Sequence, residues 1–161
     1  MQMAYHDALT GLPNRRLFSD RLDQAVRRAR RTGEIVAVLY LDLDGFKAVN
    51  DAFGHAAGDC VLRETAHRLQ SVLRESDTAS RFGGDEFAVV LPDLQHRESA
   101  GQVVDKIRFA LANPTACAGY EGPIGASIGV AIFPDDGDDG ATVLGRADEA
   151  MYAVKRERKR G

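Results

Sequence analysis

The segment Arg81-Phe82-Gly83-Gly84-Asp85-Glu86-Phe87 constrains the fold of this chain more than any other. Two glycines and two carboxylates lie between apolar Phe82 and Phe87, and residues 78–82 and 86–91 read as a β-hairpin closed at Gly83-Gly84. Glycines at a tight turn let a backbone come close to a ligand, because no Cβ intervenes. If the chain leaves that turn as a strand, adjacent Asp85 and Glu86 point to opposite sides, one holding a metal while the other faces something different. Such an arrangement suits nucleotide phosphates, with glycines for approach and a carboxylate for Mg²⁺. Taken alone, the same residues also describe an ordinary hairpin with a solvated acidic tip.

The flanking periodicities supply the rest of the architecture. Leu17, Leu22, Ala25, Val26 and Ala29 recur at helical spacing after Pro13, with Gly33 as a stop. Residues 34–43 are rich in Val, Ile and Leu and read as a buried strand. A short helix is expected over 45–53 and a longer one over 59–74, with Val61, Leu62, Leu69, Val72 and Leu73 on its inner stripe. Further elements are a helix over 97–111, a short edge strand near 116–120 and a strand over 124–133. In that last strand Ile128, Val130 and Ile132 alternate with Ser127, Gly129 and Ala131. A loop over 134–140 and a closing helix over 141–156 complete the chain. This order predicts an α+β fold, a sheet with helices on its faces.

Composition narrows the function classes. A chain of 161 residues suits one domain with one core, and 44% hydrophobic with 28% charged residues is that of an ordinary globule. The net charge of −3 argues against nonspecific nucleic-acid binding, which needs a basic face. No apolar run approaches the roughly 20 residues of a membrane span, and the N-terminus lacks the apolar core of a signal peptide. Cys60 and Cys117 form no metal-like spacing, so reduced thiols are expected. These features predict a soluble cytoplasmic domain without nucleic-acid or membrane contact.

Asp42 and Asp44 alternate with Leu41 and Leu43 at the end of the first strand and so share one face. The helix that follows offers free N–H groups at Gly45, Phe46 and Lys47 to phosphate oxygens. Asp44 reads equally as an N-cap or a ligand. Asp59, with Gly58 before it, reads equally as the cap of the helix it opens or as a binding residue.

Asp7-Ala8-Leu9-Thr10-Gly11-Leu12-Pro13-Asn14-Arg15, Leu41-Asp42-Leu43-Asp44-Gly45-Phe46-Lys47, Asn50-Asp51-Ala52-Phe53-Gly54-His55, Gly58-Asp59 and Ala147-Asp148-Glu149-Ala150-Met151-Tyr152 accompany the hairpin in fixed order. With these motifs the chain resembles the GGDEF domain of bacterial diguanylate cyclases, from about Asp7 to Lys155. The resemblance implies the ferredoxin-like palm of class III nucleotidyl cyclases, with a central, mostly antiparallel sheet flanked by helices. It implies condensation of two GTP into cyclic di-GMP, with release of pyrophosphate, by a homodimer. It implies Mg²⁺ or Mn²⁺ held by Asp42, Asp85 and the carbonyl of Leu43, with Glu86 as general base or added metal ligand. Asn50 and Asp59 match guanine-binding positions. A carboxylate can accept from guanine N1–H and the exocyclic amine while an amide addresses the base's other polar edge.

Phosphate contacts are implied for Gly45, Phe46, Lys47, Gly83, Gly84, Lys155 and Lys159. The family commonly has arginine where this chain has Lys159, which keeps the charge but loses the bidentate fork; Arg158 and Arg160 are the candidate substitutes. Asp7 and Arg81 resemble a structural ion pair, and Gly54 and His55 a structural loop. Arg74-Glu75-Ser76-Asp77 matches an RxxD inhibitory site for the product, with Lys106 where relatives place arginine and Arg108 close by. Alone, that pattern is a surface ion pair. The position of the motifs further implies a single domain, 1–161, excised from a longer protein with an upstream sensor or a downstream EAL phosphodiesterase domain. The alternative is a non-catalytic module of such a hybrid that binds GTP or cyclic di-GMP.

Overall fold

The computed structural model describes residues 4–160, without the side chain of Arg160. Helix α1, Arg15–Thr32, starts where the Asn14 side chain accepts the Leu17 N–H at 3.1 Å. It stops at Gly33, which is left-handed at φ 79° and returns its N–H to Ala29. The strand β1, Ile35–Asp44, lies at the centre of a four-stranded sheet. It pairs with β3, Glu86–Leu94, and with β6, Gly125–Phe133, while β2, Thr78–Gly83, lies outside β3. The order β2-β3-β1-β6 is the ferredoxin-like one, and every ladder in this sheet is antiparallel.

Both faces of that sheet are covered, which is why residues 34–43 form an apolar run without alternation. Ala37, Leu39, Leu41 and Leu43 face a core built with α3, His55–Val72, and α4, Glu98–Ala112. Val36, Val38 and Tyr40 face the opposite core, built with α1 and with α5, Gly140–Arg160. Leu39 and Leu41 are fully buried, each worth about 1.5–3 kcal/mol of transfer free energy. Asp42 and Asp44 continue the even-numbered series and therefore project toward α5.

Several expectations are corrected here. The helix after α2, Phe46–Phe53, starts at His55 and not at residue 59, because Gly54 serves as C-cap of α2 and N-cap of α3. His55 thus opens a helix instead of lying in a loop, and Asp59 lies inside α3 and cannot be its cap. Near 116–120 the chain makes two strands, β4, Thr115–Cys117, and β5, Tyr120–Gly122, which pair only with each other. Ala118 and Gly119, both at positive φ, turn the chain between them. In α1, Phe18 and not Leu17 enters the core.

The cysteines are also corrected. Cys60 of α3 and Cys117 of β4 form a disulfide with Cα atoms 5.6 Å apart. The two residues are 57 positions apart, so nothing in their spacing announces that α3 and the small hairpin meet. Among the described residues no helix is long and apolar enough to cross a membrane.

Candidate active site

The sequence builds the site where three strand ends meet. Asp42 pairs in register with Glu86 on one side and Ser127 on the other, and Asp44 pairs with Gly125. The turn between β2 and β3 is Gly84-Asp85, so Asp85 stands in the turn and the strand begins at Glu86. Gly83 and Gly84 carry φ of 129° and 50°, conformations that a Cβ would oppose. Arg81 fastens this turn: its Nε and Nη2 donate to the Gly84 carbonyl at 3.1 and 2.8 Å. Its Nη1 meets Asp7 at 2.9 Å, the expected ion pair.

The expected separation of Asp85 and Glu86 onto opposite faces does not arise, because only Glu86 is in the strand. The Leu43 N–H donates to the Asp85 carbonyl at 3.1 Å, which draws the turn against the end of β1. The carboxyl groups of Asp42 and Asp85 then face one another. Burial, and next the neighbouring Asp42 carboxylate, push the Asp85 carboxyl up to about 6. Asp42 is 7% exposed, and its Oδ1 is buried without a hydrogen-bond partner. Its Oδ2 accepts from Lys155 Nζ at 2.5 Å, and this carboxylate raises the Lys155 ammonium above its ordinary value.

Two crowded carboxylates with an orphaned buried oxygen form a donor set suited to a small hard cation. Leu43 is 2% exposed, so only its backbone can contribute. Among the described residues no group of three His, Cys, Asp or Glu side chains converges on a metal position.

Glu86 accepts from the Tyr40 hydroxyl at 2.9 Å. Burial, then the Glu86 carboxylate, hold that phenol above its ordinary value. Asp44 is not an N-cap: Gly45 at φ 73° takes that position without a side-chain cap. The Asp44 carboxylate instead accepts from Ser127 Oγ at 2.7 Å and from Arg158 Nη1 at 2.6 Å. The first N–H groups of α2, from Phe46 and Lys47, open beside this cluster without intrahelical acceptors. Lys47 and Lys159 are exposed. Of the two candidate substitutes for the family arginine, Arg158 reaches the site and the Arg160 side chain lies outside the described residues. Tyr40, Ser127 and Arg158 were not singled out for these contacts; Tyr40 had a signal, since it lies two residues before Asp42 and a buried phenol needs a partner.

Asn50 lies against α3 at Gly58, the residue before Asp59. A Cβ at Gly58 would stand 1.9 Å from Asn50 Oδ1, so the glycine is what lets the amide lie there. At the other end of the domain, Arg74 forks onto Asp77 through Nη2 at 2.9 Å and Nε at 3.3 Å, and Nη2 also reaches the Pro92 carbonyl at 2.9 Å. Both residues line a cavity of about 290 Å³ with Pro13, Arg21 and Gln70. Lys106 is exposed on α4 and does not line it. Arg108 belongs elsewhere: its Nη1 donates to the Ala126 carbonyl, at the same end of the sheet as Asp44.

Comparison with known proteins places the chain in one family and one fold. A family profile described as "Diguanylate cyclase, GGDEF domain" matches residues 4–161. The bifunctional diguanylate cyclase/cyclic di-GMP phosphodiesterase MucR of Pseudomonas aeruginosa is 44% identical over 161 residues, 100% of this chain and 23% of that protein. The crystal structure of the GGDEF domain of TpbB from the same organism superposes with a TM-score of 0.89 at 44% identity, covering 92% of each chain. The GGDEF domain of DgcB from Caulobacter crescentus, solved in complex with c-di-GMP, gives 0.86 at 34% identity, covering 96% of this chain and 89% of that one. The chain spans about a fifth to a third of the length of the curated relatives it matches, 23% of MucR and 36% of full-length TpbB among them.

Proposed function

The chain belongs to the GGDEF domain family of diguanylate cyclases, and on that premise we propose that it condenses two GTP into cyclic di-GMP. The observation that carries this reading is the pair Asp42 and Asp85 at the Gly83-Gly84 turn, with the Asp42 Oδ1 orphaned. Mg²⁺ or Mn²⁺ held there by Asp42, Asp85 and the Leu43 carbonyl would activate a 3′-hydroxyl and neutralise the leaving pyrophosphate. The protein's own groups do the rest. Gly83, Gly84 and the N–H groups of Gly45, Phe46 and Lys47 cradle the triphosphate. Lys155 supplies charge to it on leaving Asp42, while Arg158 and Lys159 lie at the outer edge. Glu86, held by Tyr40, faces the 3′-hydroxyl as base or as an additional cation ligand. Asn50 and Asp59 read guanine.

Each domain binds one GTP, whereas the product joins two, so two sites must meet about a two-fold axis. Incubation with GTP and Mg²⁺ is expected to yield cyclic di-GMP and pyrophosphate, with specific activity rising as protein concentration rises. GTP binding without turnover would instead mark a non-catalytic module of a GGDEF–EAL phosphodiesterase. The domain is proposed to serve within a longer cytoplasmic protein, coupled to sensor or EAL phosphodiesterase domains.

Product inhibition is proposed at Arg74 and Asp77, with Lys106 on the following helix as an outlying contact; support comes from the c-di-GMP complex of the DgcB domain. Arg74 now spends Nε and Nη2 on Asp77 and Pro92, so a guanine forked onto it must replace one of these bonds. Arg74→Ala is expected to weaken cyclic di-GMP binding by roughly 5- to 150-fold, the equivalent of about 1–3 kcal/mol, while GTP turnover persists. Calorimetric titration of product beside turnover checks this; equal inhibition of both proteins places the product elsewhere.

A further inference from the structure

We propose that Tyr40 is a positioning residue that fixes the orientation of the Glu86 carboxylate, an inference that rests on the cyclase reading above. Tyr40 pairs with Ala88 while Asp42 pairs with Glu86, so Tyr40 and Glu86 are diagonal neighbours on one face of the β1–β3 ladder. Long side chains span that diagonal, and here the phenol donates to Glu86 Oε1 at 2.9 Å. Tyr40 is 4% exposed, and Glu86 is the hydrogen-bond partner of its hydroxyl.

The ring is the fixed member of this pair. Phe82 meets it edge-on, with centroids 5.6 Å apart and planes at 87°. Phe82 is itself held edge-on by Phe18 at 5.0 Å, and the Arg15 guanidinium lies 4.1 Å above its ring. Glu86 is the first residue after a glycine turn, with one neighbour on a two-residue loop. A tyrosine locked between α1 and β2 therefore dictates where that carboxylate points. Oε1 is committed to the phenol, and Oε2 is the oxygen left for a reacting hydroxyl or a cation.

Tyr40→Phe deletes one oxygen and keeps the ring packing. With GTP and Mg²⁺, kcat is expected to fall about 10- to 100-fold, the usual effect of removing the partner that orients a reacting or ligating group. KM for GTP and the melting temperature shift caused by GTP should stay at their wild-type values. Glu86→Asp withdraws the carboxylate by one methylene while retaining measurable turnover, and Tyr40→Phe added to it should cost nothing further. A purely structural role would give losses that multiply in the double variant, or a raised KM with unchanged kcat. Either result overturns the proposal, as does wild-type kcat in Tyr40→Phe. Wild-type protein that binds GTP without forming product would instead overturn the cyclase reading, and this inference with it.

Discussion

Asp85→Asn is expected to abolish turnover with Mg²⁺ and, in metal-free protein at pH 8, to raise the melting temperature. The first effect follows from removing one of the two carboxylates, Asp42 and Asp85, that face one another beside the orphaned Asp42 Oδ1. A bound cation supplies several kcal/mol of charge stabilisation, and each 1.4 kcal/mol is about tenfold in rate, so a loss of about 10³-fold or more is expected. The second effect has the opposite sign because the site is built for a cation. Burial and Asp42 raise the Asp85 carboxyl from 3.8 to about 6. Between these values the unfolded chain loses a proton that the folded domain keeps, so folding stability falls as pH rises through this window. Above about pH 6 the whole penalty is present, and asparagine removes it. Partial exposure reduces the benefit to about 1 kcal/mol, or roughly 2–4 °C for a domain of this size. Melting scans without metal at pH 5 and pH 8 should show a gain at pH 5 only about half of that at pH 8. A variant that melts lower than wild type at pH 8, or that retains turnover, removes Asp85 from the cation site.

The fold was legible wherever one element's periodicity decides its partners. The apolar run of β1, the helical spacing of α1 and the glycine turn after β2 each dictate a burial pattern locally. Asp42 and Asp44 were placed on one face by counting alone, and the structure keeps them there. What the sequence hid is what distant segments do to one another. Lys155 on Asp42 and Arg158 on Asp44 join residues 113 and 114 positions apart, and no local pattern reports this. A start of α3 at residue 59 follows from reading Asp59 as its cap, whereas Gly58 lies inside the helix and makes room for Asn50. The signal of Tyr40 as a site residue is weak because a tyrosine in an apolar strand reads as core, and it is core except for its hydroxyl. Arg108 is close to Lys106 in sequence yet donates to the Ala126 carbonyl, because sequence proximity says nothing about which way a helical side chain turns.

A preference for GTP over ATP of about 10⁴-fold in kcat/KM is expected, and Asp59→Ala should erase most of it. Sites that meet a substrate N–H with a buried acceptor reject analogues lacking it by about 10⁴–10⁵-fold, because the acceptor is left unpaired. Guanine presents N1–H and the exocyclic amine to such a carboxylate, whereas adenine presents an acceptor at N1. The carboxylate of Asp59 is available for this work. It lies within α3, which begins at His55, and so is not consumed in capping a helix. The Asn50 amide lies against Gly58, the residue before it. In Asp59→Ala the loss should fall on GTP and leave the weak reaction with ATP nearly unchanged. Gly58→Ala offers an independent check that leaves Asp59 in place: its Cβ would come 1.9 Å from Asn50 Oδ1 and must displace the amide. That variant should lose part of the GTP preference while melting close to wild type, since the flexible end of one side chain is what has to move. Steady-state kinetics with both nucleotides, and thermal protection by each, give the comparison. Equal use of GTP and ATP by the wild type would place base recognition outside Asn50 and Asp59.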